Sequence, residues 1–168
     1  MEDTTLEPEE YGEEAVQQFG FSPEVLKKLK ERIAESVEAV DIGDLIMGTA
    51  TQKVSIIAGK LEVTYRLMTP KHHSLISEKL PAADVAGDVD VRKLCMYTMA
   101  CSVSMLNQTA LGDPANGETN KDVQAIFLAN TKALENVPEL VFWLTWYNHM
   151  WFIERSNAYV TEEALGNG

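Results

Sequence analysis

Within residues 60–69, apolar and polar side chains alternate strictly from Lys60 to Leu67, in a chain whose other patterns repeat mostly at helical spacing. Successive side chains of a strand point to opposite faces of a sheet, so the alternation predicts a strand with one buried face. The face expected to be buried carries Leu61, Val63, Tyr65 and Leu67. The face expected to be exposed carries Lys60, Glu62, Thr64 and Arg66.

A second β-rich stretch precedes this strand, over residues 47–57, and places Val54 and Ile56 on one face. Ala58-Gly59 separates the two stretches, and glycine can take the positive φ that tight turns often require. The sequence therefore predicts a β-hairpin over residues 47–69. Because an isolated two-stranded hairpin is marginally stable in water, we expect it to pack on helices or to join a partner's sheet.

The rest of the chain is predicted to form helices over residues 22–40, 70–80, 91–107, 119–135 and 138–164. The expected N-cap of the third is Asp90, and that of the fourth is Thr119 or Asn120. We expect an α+β fold that is mostly α-helical, with the one hairpin packed on a helical bundle. Residues 1–20 are predicted to be an acidic flexible tail, and residues 21–168 a single globular domain with a helical region over 70–165.

The charge balance excludes several classes of partner. Lys and Arg total 14 and Asp and Glu total 26, which gives a net charge of −12. Nucleic acids and anionic membrane surfaces need a basic footprint, so neither is expected as a partner. The longest strongly apolar stretch, residues 140–153, is interrupted by polar side chains and is shorter than the roughly 18 apolar residues of a membrane span.

The sequence contains no pattern that points to catalysis, a metal or a cofactor: it has no HExxH, CxxC or GxSxG motif and no glycine-rich phosphate loop. His72 and His73 are adjacent and would point about 100° apart on a helix, so they cannot share one metal from that turn. We interpret them and His149 as solvated or core histidines. Cys95 and Cys101 would lie about 240° apart on one helix, so we expect free thiols that serve as small core residues in a reducing cytoplasm.

Residues 140–153 are unusually rich in large apolar side chains, and all three tryptophans of the chain fall within them. The simpler interpretation is that this helix forms the axis of the core. A helix that is apolar on every side has more surface than a small domain readily buries, so one side is also a candidate groove for a partner helix. The candidate partner-binding residues are Trp143, Trp146, Tyr147, Met150 and Trp151.

Residues 44–69 resemble the tail assembly chaperones and related baseplate-hub assembly proteins of tailed bacteriophages. The first strand of their hairpin reads like Thr51-Gln52-Lys53-Val54-Ser55-Ile56, and the second like Leu61-Glu62-Val63-Thr64-Tyr65-Arg66-Leu67-Met68-Thr69. Residues 134–159 are similar to their closing helix. The chain departs from that family at Pro70-Lys71-His72-His73, where the relatives usually continue with acidic residues.

The resemblance implies a protein without chemistry of its own, which keeps the long, helical tape measure protein soluble until the tail tube polymerises around it. We therefore expect a non-enzymatic phage tail morphogenesis protein that binds the tape measure or hub proteins in the host cytoplasm. One alternative is a structural tail or baseplate-hub subunit that stays in the virion. Another is a small ligand-binding protein or enzyme. The sequence also leaves open whether the chain forms a homo-oligomer.

Overall fold

The computed structural model describes residues 49–56, 60–80 and 90–165, together with isolated positions between 22 and 47. Four strands, β1 (Thr51–Ser55), β2 (Glu62–Arg66), β3 (Val103–Leu106) and β4 (Thr109–Ala110), form an antiparallel sheet in that order. Four helices accompany them in the described part of the chain: α1 (Pro70–Lys79), α2 (Val91–Ser102), α3 (Asn120–Glu135) and α4 (Glu139–Leu165), with a 3-10 turn at Pro114–Asn116. The predicted class, α+β and mostly helical, is confirmed.

The predicted hairpin is present but shorter than residues 47–69. β1 pairs with β2 in a register that sets Val54 opposite Val63. Met47 is helical and exposed, and the backbone N–H groups of Thr49 and Ala50 donate to the carbonyl of Asp44 at 2.9 and 3.1 Å. The prediction that the β-structure begins at residue 47 is therefore wrong, because this backbone closes onto the preceding turn instead of pairing with β2.

The face of the hairpin that is predicted to be buried is correct except near its second end. On the opposite face, Glu62 and Thr64 are half-buried instead of exposed, because strands pair with both edges of β2. Val54, Ile56, Leu61, Val63 and Tyr65 are buried. Leu67 is only half-buried. Arg66, which is expected to be exposed, is buried, because its guanidinium donates to the backbone carbonyls of Val103 in β3 and of Leu111 after β4.

The helix predicted over residues 91–107 ends at Ser102, and the next four residues form β3. The sheet consequently has four strands, and the predicted helical region over 70–165 contains two of them. Val103–Leu106 pairs with the edge of β2 that β1 leaves free, so backbone hydrogen bonds between distant segments override the local helical pattern.

The turn between β3 and β4 depends on Asn107, which has a φ of 53°. Asparagine tolerates this left-handed region better than most residues. The Asn107 backbone N–H donates to the Glu62 carbonyl at 2.6 Å, and its side-chain oxygen accepts the Glu62 N–H at 2.9 Å. The turn is thereby fastened to the start of β2.

We expect Asn107→Gly to preserve the turn and Asn107→Val to lower the free energy of unfolding by about 1 to 3 kcal/mol, since a β-branched side chain is strained at positive φ. Chemical denaturation of both variants beside the wild type measures the difference. Equal stability of the two variants would contradict a left-handed conformation at this position.

The helix boundaries elsewhere agree closely with the sequence. The Asp90 side chain accepts the Lys93 N–H at 3.0 Å, and Thr119 accepts the Asp122 N–H at 3.2 Å, as expected of N-caps. Both cysteines are buried and free. The predicted tail over residues 1–20 and most of the predicted helix over 22–40 lie outside the described residues, although Pro23, Glu24, Lys27, Lys28 and Glu31 are helical.

Candidate binding site

Helix α4 carries the five side chains that the sequence singles out for partner binding. Trp143, Trp146 and Tyr147 are 4 to 5% exposed, while Met150 and Trp151 are half-buried. The first part of the helix therefore serves as core, in agreement with the simpler interpretation. The next turn remains accessible along part of its surface.

The sheet holds α4 in place through Tyr65. Its phenol donates to the Thr145 carbonyl at 2.8 Å, and its ring packs against Phe152 and His149, with centroids 6.0 and 5.9 Å away. This contact joins β2 to the middle of the aromatic helix. It fixes the side of α4 that faces the sheet.

Three of the buried polar side chains of α4 form hydrogen bonds within their own helix. The side chains of Thr145, Asn148 and Ser156 donate to the carbonyls four residues earlier, at 2.8, 2.6 and 2.8 Å. Such local bonds satisfy polar groups without an outside partner. They explain how a helix with polar interruptions can pass through the core.

The first turn of α4 is tied to α2 by a charged pair. Arg92 and Glu139 lie 2.9 Å apart, and the Trp143 indole N–H donates to the other Glu139 oxygen at 2.8 Å. The hydrogen bond from Arg92 is the main cause that lowers the pKa of Glu139. The Arg92 guanidinium also lies 4.7 Å from the centre of the Phe142 ring. Trp143 is thus part of the connection between helices.

Trp146 and Met150 line a cleft of about 580 Å³ between α4, α2 and the segment that leads from β2 into α1. Its described lining contains no carboxylate, lysine or arginine. The lining residues are Leu67, Met68, His73, Thr98, Trp146, His149, Met150, Ile153, Ser156 and Asn157. Two of the five predicted side chains therefore share a cleft, and we call it the α4 cleft.

His149 lies in the wall of the α4 cleft and is 1% exposed. Neither of its ring nitrogens has a hydrogen-bond partner within the described part of the chain, and the same is true of the buried Trp146 Nε1. The two rings stack with centroids 5.4 Å apart. Burial lowers the pKa of His149 to about 4, so the imidazole is neutral at pH 7.

The sequence interpretation of His149 as a solvated or core histidine agrees with its burial in the core. It does not predict that His149 lies in the wall of the cleft. The available signal is its spacing: His149 follows Trp146 by three residues, which puts both on one side of the helix. The missing hydrogen-bond partners depend on the surrounding elements and are not visible in the local sequence.

A second polar cluster joins the buried Arg66 and His72 to the half-buried Asp113. His72 Nδ1 accepts the Thr69 N–H at 2.9 Å, so His72 Nε2 carries the proton that is donated to Asp113, at 2.7 Å. Arg66 lies 3.4 Å from the other Asp113 oxygen and donates to the carbonyls of Val103 and Leu111 at 2.9 and 2.7 Å. The cluster pins the segment after β4 to β2 and α1.

Asp113 is charged at neutral pH because its hydrogen bonds outweigh its burial. Burial raises the pKa of this carboxyl, but the hydrogen bonds from His72 and the Ala115 N–H, with the nearby charge of Arg66, bring it below its usual value. Both His72 nitrogens and both Asp113 oxygens are engaged in these contacts. Because these polar atoms are already engaged within the fold, we interpret the cluster as structural.

Within the described residues, no group of three or more histidine, cysteine or acidic side chains could hold a metal ion. His73 lines the α4 cleft, whereas His72 points to Asp113.

Burial raises the pKa of Cys95 and Cys101 to about 12, so both are protonated thiols. No helix in the described ranges is long and apolar enough to cross a membrane.

No protein-family model matches the chain, and no curated protein or solved structure matches it either. The likeness to tail assembly proteins therefore depends on residues 44–69 and 134–159 alone, and the function drawn from it is a proposal.

Proposed function

We propose that this protein is a non-enzymatic tail morphogenesis protein of a tailed bacteriophage, which binds a helical segment of the tape measure or a hub protein in its α4 cleft. The observation that carries the proposal is a cleft with an apolar wall on the helix whose sequence resembles the closing helix of that family. The partner's identity comes from the resemblance, and the place of binding comes from the cleft.

The lining of the α4 cleft suits an apolar helix. Met68 and Met150 contribute unbranched, adaptable side chains, and Ile153 adds a branched one. An amphipathic helix binds such a groove through apolar residues spaced three or four apart. The net charge of −12 would help to keep a complex with an aggregation-prone partner in solution.

The direct test is co-expression with the tape measure protein of the same phage. The wild-type chain should keep that protein soluble, and Met150→Glu or Ile153→Glu should reduce the soluble amount at least about tenfold, because either change puts a charge in an apolar contact. Both side chains are half-buried, so circular dichroism must first show that the variants fold.

Leu128→Glu provides the matched control. Leu128 lies on α3, is 68% exposed and is not part of the α4 cleft. This variant should keep the tape measure protein as soluble as the wild type does. If folded Met150→Glu and Ile153→Glu also keep it soluble, the cleft is not the binding site; if the wild type does not, the proposed function is wrong.

A further inference from the structure

We propose that the chain forms a symmetric homodimer through β1, whose free edge pairs in antiparallel orientation with β1 of a second copy. The two four-stranded sheets then join into one sheet, with a two-fold axis beside Val54. This self-association does not involve the α4 cleft and goes beyond the proposed function.

The first step is that β1 pairs on one side only. It lies at the end of the strand order and its neighbour is β2. The Leu67 N–H donates to the Ala50 carbonyl at 3.3 Å. The Ile56 N–H donates to the Leu61 carbonyl at 2.6 Å. Because bonded and non-bonded pairs alternate along an antiparallel ladder, the even-numbered residues of this stretch bond to β2, and the odd-numbered ones direct their backbone groups to the other side.

The second step is that these outward backbone groups are available. They belong to Thr51, Lys53 and Ser55, which are all exposed. Within the part of the chain that the structure describes, they form no hydrogen bond. β1 has no proline, and its register with β2 is regular. A row of unpaired N–H and C=O groups on a regular strand is a template for another strand.

The third step is the choice of register, which a second copy can satisfy. In an added antiparallel strand, a residue that directs its backbone groups to the free edge must face another such residue. A two-fold axis at Lys53 would set two lysines opposite each other, which is unfavourable. An axis at Val54 instead sets Lys53 opposite Ser55 of the second copy. It also brings the two valines together on the buried face of the sheet, where β-branched pairs are favourable.

Charge complementarity supports the same register. Ser55 lies opposite Glu62 in the hairpin, so Glu62, Ser55 and the second copy's Lys53 form one row on the exposed face. Neighbouring strands are about 4.8 Å apart, so about 10 Å separates the outer two backbones, and the long lysine and glutamate side chains can meet above the short serine. Glu62 already pairs with Lys53 of its own chain at 2.9 Å. In the dimer each carboxylate therefore lies between two lysines.

Ser55→Pro tests the pairing, because it removes a donor to the second copy and none to β2. Analytical ultracentrifugation should show a monomer–dimer equilibrium for the wild type. The variant, with an unchanged circular dichroism spectrum, should dimerise at least about tenfold more weakly, since the symmetric interface loses two hydrogen bonds. Ser55→Thr keeps the N–H and is the matched control, with wild-type affinity expected. A wild type that is monomeric up to about 1 mM overturns the proposal, as does unchanged dimerisation of the folded proline variant.

Val54→Cys tests the register and leaves the edge intact, so it decides the matter even where Ser55→Pro does not fold. Cα atoms of a non-hydrogen-bonded pair are about 4.5 Å apart, within the range of a disulfide. Mild oxidation should give a covalent dimer on a non-reducing gel. The wild type should give none, because Cys95 and Cys101 are buried. Ile56→Cys lies on the same face but away from the axis and should crosslink at least about tenfold less. Equal crosslinking of the two variants, or none, overturns the β1 dimer.

Discussion

Replacing Arg66 by Met should lower the free energy of unfolding by about 3 kcal/mol, because two buried backbone carbonyls lose a charged donor whose hydrogen bonds contribute roughly 1.5 to 3 kcal/mol each. The substitution keeps much of the aliphatic volume and removes the donors to the Val103 and Leu111 carbonyls. It also leaves Asp113 without its guanidinium neighbour. The segment after β4 would lose its main attachment to β2.

Chemical denaturation at neutral pH measures this effect, and Lys53→Met is its matched control. Lys53 lies on the neighbouring strand and pairs with Glu62 at 2.9 Å, but the two side chains are 61% and 45% exposed. An exposed pair of this kind contributes less than about 1 kcal/mol. If both substitutions cost the same, the Arg66 cluster does not hold the segment after β4.

The hairpin was predictable because its signal is local. Alternation over a few residues fixes which side chains share a face, and burial of Leu61, Val63 and Tyr65 follows from that pattern together with an available core. The same reasoning failed for Arg66, since a long side chain at the end of a strand can turn inward when carbonyl acceptors lie nearby. Those acceptors belong to residues about forty positions later in the chain.

Strand β3 was not predictable for a similar reason. Met99, Val103 and Leu106 are spaced as in a helix, so the local pattern continues past the observed end of α2. Which structure forms there depends on the free edge of β2, which offers backbone partners from a different part of the sequence. Periodicity identifies apolar faces, but it does not record such long-range pairing.

The candidate site was predictable in outline. Concentration of aromatic residues in 140–153 identified the helix, and the structure divides it into a buried first part and a partly accessible turn that contains Met150. The cleft itself needs α2 and the segment before α1 as its other walls. The importance of His149 arises only from this packing, because a polar atom is unpartnered only when every neighbouring element fails to supply a partner.

Between pH 7 and pH 5, the free energy of unfolding of the wild-type chain should fall by about 2 kcal/mol more than that of the His149→Phe variant. Burial lowers the pKa of His149 from its usual 6.5 to about 4 in the folded chain. As the pH falls below 6.5, His149 becomes protonated in the unfolded chain but stays neutral in the folded chain, so the free energy of unfolding decreases. The contribution of His149 to the free energy of unfolding therefore has its full value above pH 6.5 and decreases until the pH reaches about 4.

Denaturation of the wild type and the variant at pH 7, 6 and 5 gives the two profiles, and Trp146→Phe is the control. That substitution removes the other unpartnered donor of the α4 cleft without removing a titrating group, so its profile should keep the wild-type slope. His149→Phe should give the flatter profile. It should also be about 1 to 2 kcal/mol more stable at pH 7, since it buries no unpartnered nitrogen. If its slope equals that of the wild type, the pKa of His149 is the same in the folded and the unfolded chain, and burial does not hold this imidazole neutral.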